Sequence, residues 1–484
     1  MADEPMMEAD VATAEADVGT AEADVIVIGG GPAGENVAGR CSEGGLRTVL
    51  VERDLVGGEC SYWACMPSKA LLRPGEVVKA AHRAPGARAA LTGKIDAAEA
   101  LAWRDSIVTE WDDRYQVQWL EQAKVGLVRG HARLRGPRQV EVDTEDATIR
   151  LTARKAVVVA TGSSAAPPTV RGLAETRVWD NRDATEAKSI PDRLIVLGGG
   201  AVGCELAQAF RRLGSTRVTI VEAAQRLLAR EEPFASDLVK SAFMDEGIIV
   251  YTNATAIRVF RDGDDGPVTA VLVSGQSVTA DELLVAVGRS PNTWDMGLET
   301  VGLRPGTYID VDDQLRATSI ADGWLYAVGD VNGRSLLTHM GKYQARMAAD
   351  HILGRPAEAW ADHKAMPRVI FTDPQVAAVG LTEAQARDQG IEARVVACPT
   401  ESVAGTTLRG EGITGTCQLI VDRHRGVVVG ATFTGPDIAE LLHAATIAIV
   451  GEVPLERLRH AVPAFPTVSE VWLKLVEGYL AAGA

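Results

Sequence analysis

One local pattern occurs twice in this chain and restricts the fold more than any other feature. The first copy is Asp24-Val25-Ile26-Val27-Ile28, then Gly29-Gly30-Gly31-Pro32-Ala33-Gly34, a helical stretch over 35–45, and Thr48-Val49-Leu50-Val51 ending at Glu52. The second is Leu194-Ile195-Val196-Leu197, then Gly198-Gly199-Gly200-Ala201-Val202-Gly203, a helical stretch over 204–213, and Val218-Thr219-Ile220-Val221 ending at Glu222. Each copy is a strand, G-x-G-x-x-G, a helix, a strand and an acid. The glycines allow a tight turn and the close approach of a pyrophosphate to a helix N-terminus, and the acid can accept hydrogen bonds from ribose hydroxyls. One Gly-rich turn is a weak signal. Two complete units predict two dinucleotides on two Rossmann-like domains of an α/β chain. An acid at the second site repels a 2′-phosphate, so NADH is expected over NADPH; Arg226 and Arg230 follow closely and keep NADP(H) open.

Between the two units lies Gly57-Gly58-Glu59-Cys60-Ser61-Tyr62-Trp63-Ala64-Cys65-Met66-Pro67-Ser68-Lys69. On an ideal helix, residues five apart are separated by about 7.5 Å of rise and roughly 140° of rotation. A disulfide needs Cα atoms closer than about 7 Å, with Cβ atoms facing. Cys60 and Cys65 can bond only if the helix start is distorted, and glycine can supply the unusual dihedrals. A strained bond of that kind is reducible. The plain alternative is two buried thiols on an amphipathic helix, and the spacing alone leaves both open. Six cysteines in 484 residues do not make a disulfide scaffold. A net charge of −16 argues against nucleic acid or an anionic membrane surface as a partner. No apolar run spans a bilayer and the N-terminus lacks a signal-peptide pattern, so a cytoplasmic location is expected.

Residues 1–23 are Ala-rich and acidic, with Glu-Ala-Asp-Val beginning at Glu8, Glu15 and Glu22. Ala and Val make a thin coiled-coil seam over so short a run. A disordered acidic tail is expected instead, its last repeat merging into the first strand. After the cysteines a helical region covers 71–124, interrupted near Pro85-Gly86. Strands alternate over 125–142, where His131 reads as a surface histidine. Ala156-Val157-Val158-Val159-Ala160-Thr161-Gly162-Ser163 reads as a buried strand and turn, and Pro167-Pro168 as a crossing between domains. Trp324-Leu325-Tyr326-Ala327-Val328 is a further strand ending in Gly329-Asp330, whose carboxylate can reach a cofactor hydroxyl. From about Pro367, strands and a helix over 438–450 make a third, α+β unit.

Together these pieces resemble the flavoprotein pyridine nucleotide-disulfide oxidoreductases, the family of dihydrolipoamide dehydrogenase, glutathione reductase and mercuric reductase. The resemblance covers nearly everything from Asp24 onward. It rests on the cysteine stretch, both glycine fingerprints, Ala160-Thr161-Gly162, Val287-Gly288-Arg289-Ser290-Pro291-Asn292-Thr293, Ala327-Val328-Gly329-Asp330, and Phe371-Thr372-Asp373-Pro374 leading to Val379-Gly380-Leu381-Thr382. It implies an FAD-binding domain over 24–180, an NAD(P)-binding domain over 181–289, a return to the first domain over 290–362, and a C-terminal dimerisation domain over 363–484 that makes a homodimer. It implies FAD held by Gly29, Gly31, Gly34, Glu52, Lys69, Ala132, Ser163 and Asp330. Leu337, Thr338 and His339 would run along the flavin, His339 as a structural contact rather than a base. NAD(H) would lie on Gly198, Gly200, Gly203, Glu205, Glu222 and Gly288, with Glu205 also near the flavin and paired with a lysine such as Lys69. Cys65 would be the sulfur beside the flavin and Cys60 the interchange thiol. Electrons would pass from NADH through FAD to the Cys60–Cys65 disulfide and on to a small-molecule acceptor.

One position departs from that pattern. Disulfide-reducing members carry a histidine followed by Pro-Thr, with a glutamate five residues after the histidine, and this dyad shuttles protons for the interchange thiol of the partner subunit. Here Pro466-Thr467 and Glu470 match, but Phe465 stands at the histidine position. Phenylalanine transfers no proton, and a positioned base contributes about 10²–10⁴-fold. His460 is offset by five residues, which aims it elsewhere. No cysteine follows Cys417, so the C-terminal pair with which mercuric reductase hands over metal is missing, and no resident metal is expected. Cys41, Cys204, Cys398 and Cys417 read as buried hydrophobes. Tyr62 and Trp63 either pack, narrow the thiol pocket, or stack on a flat acceptor such as a quinone. The expected enzyme is an NADH-dependent flavoprotein reductase using Cys60, Cys65 and Glu470, with a disulfide, quinone or metal ion as acceptor. A dihydrolipoamide dehydrogenase is the alternative, and a flavoprotein redox sensor or scaffold is the alternative of another class.

Overall fold

The structure is a computed structural model that describes residues 20–481; the earlier part of the acidic repeat lies outside the described residues. The first strand is Thr20–Ile28, so it starts before Asp24 and takes in residues that composition assigns to the tail. Thr20 to Ala23 pair with Arg150 to Ala153 of the long strand Thr148–Val159, and after a register shift Val25 to Ile28 pair with Ala156 to Val159. The long strand leaves an open edge there, and residues 20–23 satisfy its backbone groups.

The first sheet runs in the order Gly126–Arg129, Thr48–Glu52, Thr20–Ile28, Thr148–Val159, Gln139–Asp143, His131–Leu134, with Leu325–Ala327 also paired to Thr148–Val159. The fingerprint strand is central and parallel to both neighbours, which places its C-terminal end, and Gly29, at the crevice where such sheets bind ligands. The second sheet repeats this arrangement in four parallel strands: Ile249–Tyr251, Arg217–Val221, Arg193–Leu197 and Glu282–Val285. The third unit is a five-stranded antiparallel sheet running from Arg368–Ile370 to Ala393–Pro399 at its edges, backed by the helices Leu442–Val450 and Glu470–Ala481.

Between the first two units the chain crosses on a pair of short antiparallel strands, Ser163–Ala165 and Arg289–Pro291. Pro167-Pro168 follow directly on the first of these strands. Arg171 bridges to Arg258, Trp179 bridges to Leu284, and Leu173 is buried with Ile195 and Leu283 in the second unit's core.

Candidate functional site

The two fingerprints match in their backbone angles and close contacts. Gly29 has φ +104° and Gly198 φ +106°; a Cβ on Gly29 would sit 2.5 Å from Ala160 O, and one on Gly198 2.3 Å from Ala286 O. Gly34 and Gly203 lie against the carbonyls of Gly29 and Gly198, at 1.8 and 2.0 Å from an added Cβ, so helix and strand meet where no side chain fits. Gly31 and Gly200 are different: a Cβ on either would meet no protein atom within 4 Å. These middle glycines keep clear the space in front of the helix N-terminus that a pyrophosphate would take. Each acid is anchored by backbone N–H groups. Glu52 accepts from Gly30 at 2.5 Å and Asp54 at 2.7 Å, and Glu222 accepts from Gly199 and Ala224, both at 2.5 Å.

At the first fingerprint a cavity is lined by Gly29, Glu52, Ala132, Thr161, Asn292 and Trp294, among others. Its shape and chemistry fit the nucleoside end of FAD: a glycine turn, a fixed carboxylate for ribose hydroxyls, and small or flat side chains. His131 is not a free surface residue. It lines this cavity, and its Nε2 lies 2.9 Å from Asp295 O. Ser163 donates to Asp330 at 2.6 Å and accepts from Arg289 Nε at 2.7 Å, so the crossover strands hold Asp330 at the end of Leu325–Ala327. Burial pushes the Asp330 carboxyl above its ordinary value. Gly288 sits just before the second crossover strand with open space around it.

The cysteines lie on two helices rather than one. Gly58–Tyr62 and Cys65–Arg83 are separated at Trp63 (φ −135°, ψ 1°) and Ala64 (φ −132°, ψ −96°). This break is the distortion that the five-residue spacing demands. Gly57, at φ +112°, opens the loop, and a Cβ on Gly58 would come within 2.8 Å of Gly31 Cα, so the loop lies flat on the first fingerprint turn. Across the break the two free thiols lie close enough to shift each other's titration. The Cys60 S–H stabilises a Cys65 thiolate; burial opposes this, Thr338 and Lys69 assist, and the Cys65 pKa falls to about 6. The same contact, with burial, holds Cys60 far above the ordinary thiol range. Thr338 Oγ1 is 3.3 Å from Cys65 Sγ, at the start of the helix Thr338–Ile352, which Leu337 precedes as N-cap. His339 Nε2 is 2.6 Å from Pro367 O, a structural contact.

Lys69, one turn beyond Cys65, pairs with Glu205 at 2.7 Å. Glu205 also accepts the Phe371 N–H at 2.8 Å. The lysine pairing expected of Glu205 is present, and its carboxylate also anchors the backbone at Phe371. Tyr62 and Trp63 are 1% and 6% exposed, which removes them as a stacking platform for a flat acceptor. Arg226 donates to Ala229 O and Glu231 O. Cys41, Cys204 and Cys417 are fully buried and their thiols are pushed up by burial, as expected of packing residues; Cys398 is half-buried.

Glu470 begins the last helix, in the third unit. Its Oε2 is buried and has no hydrogen-bond partner among the described residues. Phe465 is 76% and Val462 84% exposed on the same unit. Within one chain Glu470 makes no hydrogen bond to either thiol. Sequence reasoning gave Asn292 only as part of a motif and Trp294 no role at this cavity, and it missed the helix Asn181–Glu186, which touches the cysteine loop. The only advance signal for the former was their place directly after the Gly288 turn.

Two nucleotide cradles flanking a polarised dithiol define a nicotinamide-nucleotide oxidoreductase that works through paired sulfurs. Comparison with known proteins agrees. A family model described as pyridine nucleotide-disulphide oxidoreductase matches residues 23–349, and one for the dimerisation domain of the same family matches 366–476. Dihydrolipoyl dehydrogenase from Thermus scotoductus is 34% identical over 457 residues, covering 94% of this chain and 96% of that protein. Mercuric reductase from Staphylococcus aureus is 30% identical over 451 residues, covering 92% and 80%. Among solved structures, the Cu(II) complex of the HOCl-induced flavoprotein disulfide reductase RclA from Escherichia coli matches with a TM-score of 0.82 at 25% identity, over 94% of this chain and 99% of that one. LpdA from Mycobacterium tuberculosis matches with a TM-score of 0.83 at 25% identity, over 95% and 99%. The chain belongs to the FAD-dependent pyridine nucleotide-disulfide oxidoreductases and carries their dimerisation domain. No helix among the described residues is long and apolar enough to cross a membrane.

Proposed function

We propose that this protein is an NADH-dependent reductase of thiophilic metal ions, acting as a homodimer through Cys60 and Cys65. The observation that carries this reading is Phe465, largely exposed where disulfide-reducing relatives place a proton-transferring histidine. Reducing a disulfide consumes two protons at the departing sulfurs. Reducing a metal ion consumes none: NADH and one ion taking two electrons, or two ions taking one each, leave NAD⁺ and a single proton. An acceptor of this kind tolerates phenylalanine. FAD held at the first fingerprint would supply the hydride and electron-transfer chemistry between nicotinamide and sulfur.

The residues have distinct parts. Gly29, Gly31, Gly34 and Glu52 hold the FAD nucleotide, with Asp330 and Ser163 further along it. Gly198, Gly200, Gly203 and Glu222 hold NADH, the carboxylate disfavouring a 2′-phosphate. Cys65 is the sulfur kept as thiolate, and Cys60 meets the acceptor. A dithiol is a soft ligand pair suited to such ions. The names of the mercuric reductase relative and of the Cu(II)-bound RclA complex point the same way. Exposed apolar side chains on the third unit, including Val462, Phe465, Leu408 and Ile447, suit coverage by a second copy. A cytoplasmic location accords with a dithiol that must be kept reducible.

The test is anaerobic NADH oxidation by the FAD-loaded protein with Hg(II), Cu(II), a benzoquinone or lipoamide as acceptor. Each is repeated on Cys60→Ser and Cys65→Ser. Metal-dependent turnover that both substitutions abolish is expected. Lipoamide turnover at the rate of the dehydrogenase relatives, or quinone turnover that survives Cys60→Ser with no metal activity, would overturn the reading.

A further inference from the structure

We infer that the short helix Asn181–Glu186, the first element after the crossing into the second nucleotide unit, positions the Cys60–Cys65 dithiol by gripping Trp63 and Glu59. The need for such a grip is written in the loop. In a continuous helix the Trp63 carbonyl would accept the N–H of residue 67, four positions on, but residue 67 is proline and has none. Trp63 is buried, so its carbonyl must find another donor or cost the desolvation of an unpaired group.

The helix supplies that donor from Asn181, while the single Thr185 hydroxyl proton is shared between Trp63 O and the carbonyl of Asn181, 2.9 Å away. Asn181 Nδ2 reaches Trp63 O at 3.0 Å and Thr185 Oγ1 reaches it at 3.2 Å. The same helix takes the rest of the residue. The Trp63 indole N–H donates to Glu186, and the Arg182 guanidinium lies 3.8 Å over the ring. Arg182 Nε also donates to Glu59 at 2.8 Å, and Asn181 Nδ2 lies 3.3 Å from the other Glu59 oxygen. Glu59 immediately precedes Cys60, so the grip flanks that cysteine on both sides.

The gripping helix is itself fixed at both ends. Asp180 and Asp183 form a reciprocal cap at its start. At its end the fully buried Arg104 donates to the carbonyls of Thr185 and Ala187. Trp179, just ahead of it, is bridged to the strand Glu282–Val285 of the second unit. The sulfur contact is therefore held from the nucleotide unit across the crossing, whatever acceptor the dithiol serves. Released, the Trp63–Ala64 break can relax and the sulfurs separate. The disulfide then forms less readily, and Cys65 loses the S–H that stabilises its thiolate.

The experiment equilibrates the full-length holoprotein with reduced and oxidised glutathione. Cys60 and Cys65 lose two electrons and two protons to form the S–S bond, and one oxidised glutathione becomes two thiols. Alkylation and mass spectrometry then give the equilibrium constant, and the pH dependence of Cys65 alkylation is measured alongside. Asn181→Ala combined with Thr185→Val should lower the constant at least tenfold, equivalent to about 30 mV for a two-electron couple. The alkylation inflection should rise with it. Asn181→Ala combined with Thr185→Ser keeps one donor and should recover most of both. If the double substitution prevents folding, Arg182→Met, at a side chain 39% exposed, decides the matter and should lower the constant at least threefold. A folded variant that melts earlier but keeps the wild-type constant and pH profile would overturn the inference, because a merely structural helix would do that.

Discussion

Lys69 Nζ donates to Glu205 Oε2 at 2.7 Å, while Glu205 Oε1 accepts the Phe371 N–H at 2.8 Å. One carboxylate, 6% exposed at its side chain, thereby joins the cysteine helix of the first unit, the fingerprint helix of the second and the end of a strand in the third. Glu205→Leu would leave a peptide N–H and an ammonium without their partner. A loss of about 1–3 kcal/mol is expected, measured as a lower urea midpoint. Glu205→Gln keeps an acceptor for Phe371 and should cost less. Equal stability of the two variants would show that the N–H bond is unimportant.

The Cys65 thiolate should be visible in solution. Its pKa of about 6 depends first on the Cys60 S–H, so Cys60→Ala should move the inflection of Cys65 alkylation upward toward the ordinary thiol range. Thr338→Val should move it in the same direction by less. The sign for stability follows. A depressed folded-state pKa contributes stability that is complete above the unfolded value of 9.0 and is lost as pH falls through about 6. Thermal midpoints of the reduced protein should therefore fall from pH 9 to pH 6 more steeply than those of Cys65→Ala. Parallel curves would count against a resident thiolate.

The parts of this molecule that were legible in its sequence are those where backbone geometry dictates residue type. Gly29, Gly34, Gly198 and Gly203 occupy places where a Cβ cannot fit, and such places can be read from a string. The cysteine spacing likewise demanded a break, and Trp63 and Ala64 supply it. What was not legible depends on partners distant in the chain. That Glu205 also accepts the Phe371 N–H could not be read, because residue 371 lies 166 positions further on. Which of packing, pocket narrowing or stacking applies to Tyr62 and Trp63 was not legible, because nothing local shows that residues 181–186 fold over Trp63 or that Tyr62 reaches the Val56 carbonyl at 3.1 Å. The bridge between Trp179 and Leu284 was not legible either, because the two lie 105 positions apart.

Phe465→His should restore what the chain lacks. Glu470 Oε2 is buried without a hydrogen-bond partner, and it lies five residues after position 465, the spacing of the dyad in disulfide-reducing relatives. An imidazole at 465 would give that carboxylate a partner and give Cys60 of a second copy a proton carrier. Lipoamide reduction by NADH should rise by about 10²-fold or more, with metal-ion turnover little changed. No gain in a folded, dimeric variant would show that position 465 does not meet the thiols.

Glu222 should govern the choice of nucleotide. Its oxygens are pinned by the N–H groups of Gly199 and Ala224, so its charge is fixed at the strand end, and Arg226 is occupied by backbone carbonyls. Removing that charge with Glu222→Ala should lower the ratio of kcat/KM for NADH over NADPH by about tenfold, the effect of one partly screened charge near a phosphate. An unchanged ratio would place the ribose elsewhere.

Glu35 carries a pH dependence of the opposite sense to that of Cys65. It stands in the first turn of the helix Pro32–Glu43, half-buried, and burial raises its carboxyl from 4.5 to about 7. Lys342 from the helix Thr338–Ile352 opposes the rise and Glu52 from the adjacent strand adds to it. For a raised pKa, the favourable contribution is complete below 4.5 and is lost as pH climbs through about 7. Glu35→Gln cannot charge, so it should gain thermal stability over the wild type as pH increases from 5 to 8. The difference between the two melting curves isolates this group from Cys65, whose contribution is common to both proteins. A gain that is the same at pH 5 and pH 8 would mean that Glu35 is already ionised at the lower pH and lies in a wetter environment than its position in the helix indicates.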